Sequence, residues 1–186
     1  SLAQLCRLVA SYPSLIEFGM FPDVAGELKQ YFSGKSLDNI QLVEFGAGSL
    51  HKVKPLLKKL PVITEFVAID ISGEHLKKAS ADLAESFPKL QIKVAQGDFT
   101  QPIELALSQA TSMGFFPGST IGNFEPEEAC EFLRSARTTL GKESYMLMGV
   151  DTKKDEQMLE RAYNDLDLKH NRSRRRTTHG TPREPP

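Results

Sequence analysis

At 186 residues with 40% hydrophobic content, the chain has apolar material for one substantial core, so one domain, or one domain with an appendage, is the expectation. A formal net charge of −1 excludes a body built to attract nucleic acid or an acidic membrane surface, and no apolar run approaches the roughly 20 residues of a membrane span. Cys6 and Cys130 stand far apart without His or Cys companions at ligand spacing, and no signal segment opens the chain, so core thiols in a reducing cytoplasm are expected rather than a metal site or disulfides.

Leu2, Leu5, Cys6 and Val9 recur at helical spacing and predict a short opening helix that ends near Tyr12-Pro13. Behind Asp23, read as an N-cap, Val24, Leu28, Tyr31 and Phe32 predict a second helix, completing an N-terminal helical segment over residues 1–36. Regular β-α alternation follows over residues 37–165. Ile40 to Phe45 reads as the first strand, and the helix after it carries Val53, Leu56, Leu57 and Leu60, with Pro55 in its first turn. Phe66 to Ile69 is the second strand, ending in Asp70. Ser72 then caps a helix with Leu76, Ala79, Leu83 and Phe87 inward, and Gln91 to Ala95 and Met113 to Phe116 are the third and fourth strands. Glu125-Pro126-Glu127-Glu128 opens a helix that Gly141 closes, and Tyr145 to Val150 is the fifth strand, followed by a helix through Met158, Leu159, Ala162 and Tyr163. Five β-α units with near-continuous apolar strands require a parallel sheet covered on both faces, a doubly wound, Rossmann-like α/β fold.

The ending differs in kind. After Leu168 there is no aliphatic or aromatic residue, and from Lys169 onward six Lys/Arg face the single Glu184; the rest therefore carries −6 (−1 minus +5). Residues 166–186 cannot bury enough apolar surface to offset their ordering entropy, so a disordered basic tail is expected. No aromatic interleaves Arg174-Arg175-Arg176, so specific nucleic-acid binding is not expected of it.

The chain is organised around Leu42 to Lys52, where an apolar run stops at Gly46 and Gly48 and resumes as a helix. Such a turn lets backbone N–H groups approach a ligand at the carboxyl ends of the strands; it would equally serve plain helix–strand packing. The dinucleotide fingerprint fails because His51 stands where a third small residue is needed, and the Walker pattern fails because no Gly-Lys-Ser/Thr follows. Glu44 beside the turn and Asp70 at the next strand end would repel a polyphosphate but suit a sulfonium and ribose hydroxyls, which points to S-adenosylmethionine. Asp70 lies twenty-two positions after Gly48, the spacing for an acid that takes ribose hydroxyls. Asp98 could accept from an adenine amino group while Phe99 offers a ring face, although Gly97-Asp98 is also a plain turn. Small residues crowd Gly118-Ser119-Thr120-Ile121-Gly122-Asn123, where Asn123 can donate to a carboxylate and accept from an amine; a helix-capping turn is the alternative.

Val43-Glu44-Phe45-Gly46-Ala47-Gly48 with Lys52, Ala68-Ile69-Asp70-Ile71-Ser72, Gly97-Asp98-Phe99, Pro117 through Phe124 and Gly149 through Asp155 together resemble the ergothioneine-pathway histidine Nα-methyltransferase family, within the class I S-adenosylmethionine-dependent methyltransferases. The resemblance implies cofactor contacts from Gly46, Gly48, Lys52, Asp70, Asp98 and Phe99, and substrate contacts from Gly118 and Asn123 with an amino acid or similar small molecule. No metal and no catalytic acid or base is implied, because a methyl on positive sulfur needs an aligned, unprotonated amine and little else. Two departures stand out: Ser11-Tyr12-Pro13 replaces a Tyr-Tyr-Pro, and the family's substrate-recognition domain and last sheet strands have no counterpart after Asp165. A truncated chain is therefore expected, poor at methylating histidine, with its fifth strand an edge open to self-association. A cofactor-binding remnant acting as an interaction protein and an NAD-dependent oxidoreductase are the rival readings.

Overall fold

The computed structural model describes residues 15–48, 50–106, 108–118 and 120–150; the predicted opening helix, Cys6, the helix through Met158 to Tyr163 and the basic tail lie outside them. Helix α1 spans Leu15–Gly34 and runs through Pro22. Asp23 is therefore an exposed residue inside the helix and not its cap. A helix-interior proline costs on the order of 3 kcal/mol. Phe21, Val24, Ala25, Leu28 and Phe32, all buried at helical spacing, more than offset that cost by packing on the sheet.

The sheet contains β1 (Ile40–Phe45), β2 (Ile63–Asp70), β3 (Gln91–Gln96), β4 (Thr111–Phe116) and β5 (Tyr145–Met148), ordered β3-β2-β1-β4-β5 and parallel at every pairing. β1 is central and buried at all six positions, as its nearly unbroken apolar run requires. The chain leaves β1 toward β2 and β3, then crosses back to β4 on the other side. That reversal makes the carboxyl end of β1 the topological switch point, where open α/β sheets bind ligands.

Helices α2 (Val53–Lys59) and α3 (Gly73–Ser86) pack with α1 on one face, around Phe32, Leu42, Leu56, Phe66, Leu83 and Phe115. Helix α4 (Pro126–Leu140) covers the other face through Phe132, Ala136 and Leu140, against Val43, Phe45, Ile69 and Phe116. Glu125 and Glu128 close a reciprocal capping box at its start, Glu125 N donating to Glu128 Oε2 at 2.9 Å. Cys130 is exposed, which corrects the expectation of a core thiol: it stands two residues before inward-facing Phe132, on the opposite side of the helix.

The third crossover also departs from expectation. Residues 97–110 form no helix among the described residues, only turns, bends and irregular chain; Pro102 removes a donor and restrains Gln101. Ile103 and Leu105 still pack against the α4 face, and Ile103 N donates to Thr139 Oγ1 at 2.9 Å. Ser108 Oγ donates to Glu65 Oε1 at 2.7 Å, while Gln41 Nε2 and Lys93 Nζ donate to Glu65 Oε2 at 3.0 and 2.9 Å. One carboxylate thus ties β1, β2, β3 and the loop together.

Candidate functional site

The predicted turn follows β1. Gly46 and Gly48 both take positive φ, +69° and +44°, conformations that any side chain would strain. Space is short as well: a Cβ on Gly46 would lie 3.2 Å from Phe99 Cε1. The turn is tied to the next strand end, because Ala47 N donates to Ile69 O at 2.9 Å and Gly48 N donates to Asp70 Oδ2 at 3.2 Å.

Asp70 organises the rim. Its Oδ1 accepts from Ser72 N at 3.0 Å, so each carboxylate oxygen holds one backbone N–H and keeps a second lone pair open to solvent. This explains a detail that sequence reading missed. Ser72 stands at the N-cap of α3, yet its hydroxyl makes no capping bond; the residue serves Asp70 through its amide instead. Gly97 N donates to Asp70 O at 3.1 Å and brings the end of β3 alongside.

Asp98 Oδ1 accepts from both Thr100 N at 2.9 Å and Thr100 Oγ1 at 2.7 Å. The Thr100 hydroxyl and then its amide hold the Asp98 carboxyl below the usual carboxylate value, and the residue is exposed. Phe99 is wedged behind it, its ring centroid 5.7 Å from Phe116 and 6.0 Å from Phe132. Thr100 and Gln101 also line a cavity of about 480 Å³ whose other side is α4, with Phe124, Glu128 and Phe132.

Across the switch point, Gly118 follows β4 with φ +86°, and a Cβ there would lie 2.6 Å from Lys52 Nζ. Lys52 therefore reaches from the start of α2 to the backbone after β4, joining two loops sixty-six residues apart. Beneath the turn, Glu44 is 2% exposed, a buried acid on the central strand. Contacts thus bring Gly46, Gly48, Asp70 and Phe99 together, and Lys52 with Gly118. Asn123 stands apart: it is exposed at the end of a short 3-10 helix, Thr120–Asn123, on the same segment as Gly118.

Two residues were not singled out from sequence. Ile71, 68% exposed, is a large apolar side chain at the rim directly after Asp70, and Thr100 fixes Asp98. The signals were there: an apolar residue just past a strand-ending acid, and an Asp-x-Thr turn. Among the described residues, no group of His, Cys, Asp and Glu could hold a metal ion, and no helix is long and apolar enough to cross a membrane.

The five-stranded parallel sheet, with its glycine turn at the switch point, is a doubly wound, Rossmann-like sheet of the kind found in class I methyltransferases. A crystal structure of a candidate S-adenosyl-L-methionine-dependent methyltransferase from Methanococcus maripaludis superposes on it with a TM-score of 0.52, at 19% identity over 83% of this chain and 68% of that one. The chain belongs to the family of histidine-specific, S-adenosylmethionine-dependent methyltransferases, whose model matches residues 2–172. Histidine N-alpha-methyltransferase of Mycolicibacterium smegmatis is 30% identical over 165 residues, covering 87% of this chain and 50% of that protein. Ergothioneine biosynthesis protein 1 of Neurospora crassa is 31% identical over 133 residues, 67% of this chain and 15% of that protein. The chain spans about half the length of the bacterial relatives it matches.

Proposed function

We propose that residues 37–165 form the cofactor-binding domain of an N-methyltransferase that transfers methyl from S-adenosylmethionine to the α-amino group of histidine or a similar small amino acid, with residues 1–36 and 166–186 flanking it. The observation that carries this reading is Asp70, whose carboxylate is fixed by Gly48 N and Ser72 N while both oxygens keep lone pairs free at the switch point. That is an acceptor pair prepared for a vicinal diol. The Asp70 carboxylate suits ribose hydroxyls, and the turn lacks the Gly-Lys-Ser/Thr of a Walker loop, so a ribose-bearing ligand fits the site better than a nucleoside polyphosphate.

In this reading Gly46 and Gly48 admit the cofactor close to the backbone, Lys52 holds its carboxylate end, Asp70 its ribose, and Asp98 the exocyclic amine of its base. Phe99 and exposed Ile71 bound that base with apolar surface. When bound, the cofactor supplies a methyl group activated by positive sulfur. The protein aligns an unprotonated amine in line with it and excludes water; Gly118 permits close approach, and Asn123 is a positioning residue that donates to the substrate carboxylate and accepts from its amine. No acid or base among these residues is assigned to the transfer. The reading puts the protein in the cytoplasm, with a small-molecule partner, no specific nucleic acid, and β5 as the edge through which copies would pair.

The test is methyl transfer from isotopically labelled S-adenosylmethionine to histidine, followed by mass spectrometry of the amino acid. Label on the α-nitrogen supports the proposal. Label on an imidazole nitrogen or on protein alone would contradict the acceptor, and saturable binding of NAD in place of S-adenosylmethionine would contradict the cofactor.

A further inference from the structure

At the opposite pole of the sheet lies a second hollow with a different chemistry. It forms where two helix-to-strand turns run side by side, α2 into β2 and α3 into β3, because those strands are hydrogen-bonded neighbours. Each turn contains a proline, Pro61 in one and Pro88 in the other, and their backbone donors are largely spent: Leu60 N on Leu56 O, Ile63 N on Leu60 O, Phe87 N on Leu83 O and Leu90 N on Phe87 O. The lining combines apolar side chains with two lysines and two hydroxyls. The hollow is an open concavity of about 600 Å³, and its lining includes Leu57, Ile63, Phe87 and Leu90.

Its charge has one sign. Lys58 and Lys89 are both exposed and line the hollow, and no Asp or Glu lines it. Lys58 sits in the last turn of α2, where a cation complements the helix dipole, and that alone would account for it. Lys89 has no such account: α3 ends at Ser86, its last turn holds no basic residue, and Lys89 lies beyond it in the turn. The Thr64 and Ser86 hydroxyls are occupied, donating to Asn39 Oδ1 and Asp82 O, so the lysines are the cationic donors toward a ligand here. Asp70 stands seven positions along β2 from Ile63, roughly 23 Å of strand, so the hollow is distinct from the candidate cofactor site.

We propose that this hollow is a binding site for a small apolar carboxylate, an alkyl or aryl body seated on Leu57, Ile63, Phe87 and Leu90 with its anionic head between Lys58 and Lys89. The proposal is independent of the methyltransferase reading. It is tested by titrating octanoate into the full chain labelled at Ile and Leu methyls and following the NMR shifts, with octylamine as the oppositely charged control. Saturable shifts at Ile63, Leu57 and Leu90 are expected with octanoate and none with octylamine, and Lys58→Glu with Lys89→Glu should weaken octanoate binding by at least about tenfold by replacing attraction with repulsion. If the double reversal does not fold, Lys58→Gln with Lys89→Gln should still weaken it severalfold. Absence of saturation at millimolar octanoate, equal binding of octylamine, shifts centred on the carboxyl ends of the strands, or affinity unchanged in the lysine variants would each overturn it.

Discussion

Replacing Glu65 tests the framework that holds the β3–β4 loop in place. Its carboxylate accepts from Ser108 Oγ, Gln41 Nε2 and Lys93 Nζ at 2.7 to 3.0 Å. Its side chain is 13% exposed and that of Lys93 38% exposed, so the ion pair is partly screened by solvent. Glu65→Ala leaves Ser108 and Gln41 without their acceptor and lets Lys93 turn to water, a loss of about 2–4 kcal/mol. Glu65→Gln keeps the shape but points an amide at a donor, and should cost about 1–2 kcal/mol at pH 7. The pH dependence has a definite sign. Burial raises the Glu65 pKa, but the hydrogen bonds from Ser108, Lys93 and Gln41 together with the Lys93 charge outweigh it, and the folded value is depressed below the ordinary one. The stabilisation is thus fully present above the unfolded carboxylate pKa and is lost as pH falls through the folded value, below pH about 4.5. Urea unfolding at pH 7, 5 and 3.5 is the assay. The gap between wild type and Glu65→Gln should narrow on acidification; a constant gap, or a cost under about 0.5 kcal/mol at pH 7, would refute the reasoning.

Three further substitutions probe other parts of the account. Gly114→Ala would press a methyl onto Met146 Sδ, to 2.8 Å from Leu140 Cδ1 and to 3.1 Å from Phe45 Cε2, so overpacking of about 1–3 kcal/mol should lower the Tm by several degrees in a thermal melt. Gly118→Ala combines left-handed backbone strain of about 1–2 kcal/mol with displacement of Lys52 Nζ; urea unfolding should report that cost, and calorimetry a weaker S-adenosylmethionine interaction. Asn123→Ala, on an exposed turn, should leave stability and cofactor affinity within about twofold while removing methyl transfer to histidine in a longer, active form of the chain; equal loss of both would move Asn123 into the cofactor shell.

The fold was legible where burial is two-sided and local. β1 reads directly because all six of its residues are buried, and α4 because Pro126, its acidic first turn and Gly141 are local signals that nothing tertiary overrides. Asp23 misled because capping chemistry was present in the sequence while burial of Phe21 drew the helix through Pro22. Residues 97–110 were read as part of a β-α unit, although Pro102 stood against a helix there. At the site, the glycines and Asp70 were visible from spacing. The reach of Lys52 to Gly118, the diversion of the Ser72 amide to Asp70 and the lock on Asp98 by Thr100 depend on which loops the strand order brings together, and no local pattern encodes that.

The central claim is that the switch point binds S-adenosylmethionine through Asp70, and isothermal titration of the wild-type chain and Asp70→Ala tests it most directly. Removing the carboxylate would withdraw two hydrogen bonds from a charged acceptor, each worth about 1.5–3 kcal/mol at most. The account predicts saturable S-adenosylmethionine binding to the wild type that is at least about tenfold weaker in Asp70→Ala, with the variant still folded. Equal affinity in the two proteins would contradict it.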